Sequence, residues 1–302
     1  MKIVFMGTPE FARKSLQRLY TSSHEITCIF TQADKPKNRG MKVTYSPVKE
    51  LALYNGTPVY QPVSLKDENV SNQLKELNPD LVVVVAYGKM LPNEILNIPP
   101  KGCINIHGSI LPKYRGASPI QHAILNGEKK TGVTSQYISE EMDAGDIISI
   151  KETTIGENET SIDLFERLGD LGAELLVETV DSIFRGNAAR TPQNHNEATY
   201  APLLKKSMSP IDWTQKTHEI KWKVRAFLPW PTATFELDGI TLKVFDVDLT
   251  DEITNKNPGT VISTGKSGIE IACTDGTVII KELQAPGGKR MPAKDYLRGK
   301  KK

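Results

Sequence analysis

The run "DLVVVVAYG", residues 80–88, decides the class of fold. Leu81 to Val85 follow one another with no polar residue between them, and four of the five are β-branched. A strand with one wet face alternates. One without alternation is buried on both faces, as the strands of a helix-covered parallel sheet are. The flanking sequence extends the pattern. "KIVFMGT" (2–8), "EITCIFT" (25–31) and "GCINIH" (102–107) are short and apolar, and stretches with helical spacing such as "PEFARKSLQRLY" (9–20) lie among them. Thr8 is placed to cap that helix, with Pro9 in the first-turn position that tolerates it. "SPIQHAILNG" (118–127) and "IDLFERLGDLGAELLVETVDSIFRG" (162–186) carry apolar residues every three to four positions, whereas "GVTSQYIS" (132–139) and "DIISIKETTI" (146–155) read as strands. Strand and helix in alternation predict an α/β domain with an open, mostly parallel sheet and helices on both faces.

The texture changes after residue 185. "RGNAARTPQNHNEATYAPLLKKSMSP" (185–210) has no periodicity and reads as a connector. A helix, "TQKTHEIKWKVRAF" (214–227), then leads into "LPWP" (228–231), and the remainder is short strands broken by turns. Asp238-Gly239 and Asp275-Gly276 each separate two apolar runs, which is a hairpin signal. Short strands with glycine turns predict a small β-barrel. The expected division is a first domain over 1–188, a linker over 189–206 and a second domain over 207–302.

The 302 residues, 38% hydrophobic and 25% charged, suit a two-domain globular chain. No apolar run approaches the roughly 20 residues that span a bilayer. The apolar part of "MKIVFMGTPEF" is too short for a secretory signal, so a cytoplasmic location is expected. Cys28, Cys103 and Cys273 lie far apart, and the five histidines form no metal-ligand pair, so the expected chemistry needs no metal. Net charge is +2, yet "GKRMPAKDYLRGKKK" (288–302) carries seven basic residues against one acid. Such an end is a solvated tail or a contact for a polyanion. Trp213, Trp222 and Trp230 are expected to pack the helix and the "PWP" turn against the barrel.

Within "INIHGSILPKYRG" (104–116), Asn105 and His107 are two apart in a strand and project from one face. They sit at its carboxyl end, where open α/β sheets place their ligand crevice. An amide donor beside an imidazole offers two fixed donors to one developing oxyanion. "EEMDAGDI" (140–147) adds Asp143 and Asp146 in a glycine-containing turn, and either carboxylate could pair with a charged His107. Periodicity does not choose between them. Gly7 marks a strand-to-helix turn, but without GxGxxG it does not support a dinucleotide site.

The stretch "CINIHGSILPKYRGASPIQHAILNGEKKTGVTSQYISEEMDAGDI" (103–147) resembles the formyltransferases that use 10-formyltetrahydrofolate, whose pattern is N-x-H, then S-L-L-P, then D-x-G-D. The only departure is Ile110 where leucine is usual. "FMGTPEFA", "TQADKPKNRG", "SPVKELA", "VVVVAYGKMLP", "IDWTQ", "RAFLPWP" and "KRMPAKDYLRG" extend the likeness along the chain, to the branch of that family that modifies tRNA. The resemblance implies a Rossmann-like formyltransferase domain with a smaller C-terminal β-barrel (OB-like) domain that binds tRNA. It implies Asn105, His107 and Asp143 as catalytic residues, and Ser109, Ile110, Leu111 and Pro112 as the folate-binding loop. It also implies Arg39, in the basic loop "DKPKNRGMK" (34–42), as a tRNA contact. The implied reaction moves the formyl group of 10-formyltetrahydrofolate to the amino group of methionine on initiator methionyl-tRNA, for translation initiation. No metal, no membrane and a monomer are expected. A formyltransferase acting on a sugar nucleotide or on glycinamide ribonucleotide would share the N-x-H and the aspartate. The 34–42 loop and the barrel separate that reading from this one.

Overall fold

Residues 81–85 are buried at every position, as the unbroken apolar run requires. The computed structural model describes residues 1–37, 42–250 and 252–300; Arg39 lies outside them. The chain divides into two compact units, one made of 1–119, 130–154 and 165–201, the other of 120–129, 155–164 and 202–302.

In chain order the elements begin with β1 (Lys2–Gly7), α1 (Glu10–Tyr20), β2 (Glu25–Phe30), β3 (Lys35–Lys37), β4 (Lys42–Thr44), α2 (Pro47–Tyr54), β5 (Val59–Tyr60), α3 (Glu68–Leu77) and β6 (Leu81–Val85). They continue with α4 (Asn93–Leu96), β7 (Cys103–His107), α5 (Pro119–Leu125), β8 (Lys130–Tyr137), β9 (Ile147–Thr154) and α6 (Ser161–Arg185). Seven strands form one sheet in the order β5-β2-β1-β6-β7-β8-β9. The first five run parallel, and β8 and β9 run antiparallel to their neighbours. Mostly parallel is therefore the observed arrangement, and β7 is the strand at which the sense changes. Alternate residues Val4, Met6, Val82, Val84 and Cys103 pack with Val70 and Leu74 of α3 and Ile95 of α4. On the other face Phe11 of α1 meets Phe165 of α6 edge to face at 5.3 Å.

Thr8 does not cap α1. The helix begins at Glu10 without a side-chain cap. The Thr8 hydroxyl instead donates to the Tyr87 carbonyl (3.4 Å) and accepts from the Gln32 N–H (3.4 Å). It ties the ends of β1, β2 and β6 together rather than serving the nearest helix.

The second unit holds α7 (Thr217–Ala226), β10 (Ala233–Leu237), β11 (Ile240–Thr250), β12 (Val261–Thr264), β13 (Ile269–Ala272), β14 (Thr277–Gln284), β15 (Met291–Pro292) and α8 (Ala293–Lys300). Its strands form one antiparallel sheet, β10-β11-β14-β13-β12 with β15 on β14, curled as a half-barrel around Ile220, Val224, Phe235, Leu242, Ile271 and Ile280. Asp238 (φ 51°) and Gly239 (φ 74°) are both left-handed, as a two-residue hairpin turn demands. Asp275 has a second task, since its carboxylate accepts the Thr217 N–H at 2.8 Å and so holds the first turn of α7. Trp213 packs against this core, edge to face with Phe235, but Trp230 stays half exposed and does not meet the packing expectation. Among the described residues no helix is long and apolar enough to cross a membrane.

Candidate active site

β7 carries Asn105 and His107 because a strand repeats every two residues, and it places both at its carboxyl end. Its neighbours are fixed by register. Asn105 lies beside Val84 of β6 and Gln136 of β8, and His107 lies beside Thr134. The third group arrives from the turn between β8 and β9. Asp143 Oδ2 is 3.6 Å from His107 Nδ1, and Asp143 Oδ1 is 3.5 Å from Asn105 Nδ2. Asp146 goes elsewhere, 3.9 Å from Arg190 and partly exposed. The geometry thus brings Asn105, His107 and Asp143 together and leaves Asp146 out.

The backbone of the turn explains the choice. Asp143 is left-handed at φ 52°, a conformation that aspartate tolerates better than most residues and that turns its side chain back over β7. The Gly116 N–H anchors Oδ2 at 2.8 Å, and Gln136 Nε2 anchors Oδ1 at 3.2 Å. Two residues on, Gly145 passes so close to β8 that a Cβ there would stand 1.9 Å from the Tyr137 carbonyl oxygen. Gly145→Ala is therefore expected to displace the turn and destabilise the fold by about 2–3 kcal/mol. Turnover should fall with it. A melting temperature equal to that of the unaltered protein would contradict the contact.

His107 is buried and its ring is oriented. Nε2 lies 2.9 Å from the Tyr114 carbonyl, which can only accept, so Nε2 carries a proton. Nδ1 is left facing the carboxylate across 3.6 Å, longer than a direct hydrogen bond. In the charged form Nδ1–H is a donor that no group among the described residues fully occupies. Asn105 is in the same condition, with Nδ2 at the long limit from Asp143 and a second amide hydrogen to spare. Two loosely held donors on opposite oxygens of one carboxylate suit an oxygen that gains negative charge during reaction. Cys103, at the start of β7, offers no rival chemistry, because burial pushes its thiol up to about 12. Among the described residues no cluster of metal-ligating side chains exists.

The segment after β7 is pinned by Thr134. Its hydroxyl donates to the Ser109 carbonyl at 2.6 Å and accepts the Leu111 N–H at 3.1 Å. Ser109 and Leu111 are buried, and Ser109 Oγ donates to the Lys113 carbonyl at 2.6 Å. Ile110 and Pro112 are the members that keep partial access. The basic loop that bears Arg39 is described only at its root. There Lys49 Nζ donates to Asp34 Oδ2 (2.5 Å) and Gln61 Oε1 (2.7 Å), and the bond from Lys49 holds the Asp34 carboxyl below the usual range.

Sequence reasoning missed Gln136, Gln193, Arg115 and Gly116. Gln136 had little readable signal, because β8 (KTGVTSQY) is largely polar and its register beside Asn105 is set by strand pairing. Gln193 had none, because it lies in the aperiodic connector.

Residues 1–180 match the formyl transferase family, and residues 203–301 match its C-terminal domain. The methionyl-tRNA formyltransferase of Clostridioides difficile is 47% identical over 299 residues, 99% of this chain and 97% of that protein. The methionyl-tRNA formyltransferase of Alkaliphilus oremlandii is also 47% identical, over 99% of this chain and 96% of its own. Among solved structures, an N-formyltransferase from Helicobacter canadensis, complexed with folinic acid and dTDP-3-aminofucose, has a TM-score of 0.72 at 20% identity, covering 96% of this chain and 100% of that one. HypX from Aquifex aeolicus in complex with tetrahydrofolic acid has a TM-score of 0.63 at 22% identity, covering 98% of this chain and 47% of that one. These two likenesses concern the fold.

Proposed function

The chain belongs to the formyl transferase family, with methionyl-tRNA formyltransferases as relatives over nearly its whole length, and on that premise we infer that it formylates the methionine of initiator methionyl-tRNA with 10-formyltetrahydrofolate as donor. The observation that carries the reading is the convergence of Asn105, His107 and Asp143 at the end of β7. The neutral methionine amine adds to the formyl carbon, and the formyl oxygen gains negative charge. Asn105 Nδ2–H and His107 Nδ1–H donate to that oxygen. Asp143 holds both donors and takes part in moving the proton that the amine loses. The bond from the formyl carbon to N10 then breaks, and N10 gains a proton. The products are N-formylmethionyl-tRNA, for translation initiation, and tetrahydrofolate. No step needs a metal, because the charge on oxygen is met by two N–H donors.

The loop 109–112 is the proposed folate wall, and its two hydrogen bonds to Thr134 supply the rigidity that a binding surface needs. In the second unit Lys289, Lys294 and Arg298 are exposed and Arg290 lies over the Phe245 ring at 4.6 Å, a basic surface suited to tRNA phosphates. The proposed division is catalysis over 1–188, a linker over 189–206 and tRNA binding over 207–302, in a cytoplasmic enzyme. Incubation with 10-formyltetrahydrofolate and charged initiator tRNA should yield formylmethionine on hydrolysis of the tRNA ester; no product would overturn the reading. Arg39→Ala should raise KM for the tRNA about tenfold and leave KM for the folate within about twofold, as loss of a phosphate or base contact does. Equal change in both constants would count against that loop as a tRNA contact.

A further inference from the structure

We propose that Arg115 and Gln193 are positioning residues for this reaction, joined through Gln136 in a one-way chain of hydrogen bonds that orients Asp143. The proposal rests on the reading of Asp143 as a catalytic group. Arg115 is 1% exposed, an unusual place for a guanidinium. Its Nε and Nη2 both donate to Gln193 Oε1, at 3.1 and 2.8 Å. A guanidinium can only donate, so the oxygen of Gln193 must face it and the NH2 must face away. The two hydrogens on that Nε2 are shared among the Asp143 carbonyl (2.9 Å), the Gly145 carbonyl (2.8 Å) and Gln136 Oε1 (3.1 Å). Gln136, having given its oxygen to Gln193, can present only its own NH2 to Asp143 Oδ1, at 3.2 Å. Neither amide can be flipped without setting donor against donor. The direction of the whole chain is therefore decided at Arg115.

What this chain secures is the part of the turn that is costly to hold. A left-handed backbone at φ 52° carries a cost even for aspartate, and the bonds around it offset that cost. Gln193 grips the carbonyls of residues 143 and 145, on either side of Ala144, while Gln136 grips the Asp143 carboxylate. Arg115 reaches the same turn again through Nη1, 3.3 Å from Glu141 Oε1. A buried charge adds little net stability compared with an apolar residue of similar volume. Its use here is to impose polarity on two amides, and through them to aim a carboxylate.

The test is steady-state kinetics of Gln193→Met and Gln193→Glu, with Asp143→Asn in parallel. Gln193→Met keeps the length of the side chain and removes its polarity. It should lower kcat about tenfold or more, as loss of aim does, with both KM values within about twofold. Gln193→Glu keeps an oxygen on Arg115 but turns its other oxygen against two carbonyls unless it is protonated. Its turnover relative to the unaltered protein should therefore climb as pH falls from about 8 to about 6. A Met variant with kcat within twofold, or with kcat unchanged and both KM values raised, overturns the proposal. A Glu variant whose ratio to the unaltered protein is constant with pH overturns it as well. The Glu variant retains the partner of Arg115, so it decides the matter if the Met variant does not fold. Near-normal turnover in Asp143→Asn would instead show that the reading of the site had failed. An inactive Asp143→Asn beside unaffected Gln193 variants would sink this proposal alone.

Discussion

Asn105→Ala should lower formyl-transfer turnover by about 100-fold or more while the protein melts within a few degrees of its unaltered form. The expectation follows from how little Asn105 does at rest. Its only side-chain hydrogen bond among the described residues is the 3.5 Å approach to Asp143, too long to contribute much to stability. An interaction made strongly only when charge develops on the formyl oxygen appears in kcat rather than in affinity. His107→Ala should cost at least as much turnover. It should also cost about 1–3 kcal/mol of stability, since a buried ring and its 2.9 Å bond to Tyr114 go with it. Steady-state rates and thermal melts of the two variants check this. Turnover within tenfold of the unaltered enzyme in either would remove that residue from the oxyanion site.

The second large effect is expected for Asp143→Asn, a change of one atom. The carboxylate accepts on both oxygens, from Gly116 N on Oδ2 and from Gln136 Nε2 on Oδ1. An amide has one oxygen and one NH2, so in either orientation its NH2 meets a donor. The substitution removes the charge that faces His107 and also leaves one anchor repelled. Turnover should fall on the order of 1,000-fold. Stability should fall by about 1–3 kcal/mol. Rapid-mixing kinetics separate the two losses. A variant that forms product normally in a single turnover, and is slow only over many turnovers, would show that Asp143 serves a later step than addition of the amine.

The legible parts of this chain were those set by local spacing. An unbroken apolar run gave β6 its place inside the sheet, and the two-residue period gave Asn105 and His107 a common face. Asp238-Gly239 formed the hairpin that its residue types predict. The rest depended on contacts distant in sequence. Asp143 and Asp146 look alike in a turn without a period; a left-handed backbone at one and Arg190 beside the other separate them. Thr8 has the chemistry of a cap, but Tyr87 and Gln32 draw it away across the sheet. The reversed sense of β8 and β9 leaves no mark on their apolar pattern. Gln193 acts on Gln136 from 57 residues away and on Arg115 from 78, which no window of sequence contains.

The connector also bears on where this protein can be cut. Composition changes near residue 188, yet the backbone beyond it stays bonded to the first unit. Thr191 exchanges two hydrogen bonds with Ile147, Arg115 N–H donates to the Thr199 carbonyl at 2.8 Å, and Ala201 N–H donates to the Arg115 carbonyl at 2.7 Å. A fragment ending at 188 would strip Arg115 of Gln193, which accepts from its Nε and Nη2, and of the backbone bonds to Thr199 and Ala201, a larger loss than that of a solvated tail. The stretch of connector that belongs to the first unit runs to 201. Its limit is set by the last hydrogen bond that β7 and its following loop require, thirteen residues past the point where the text of the sequence changes style.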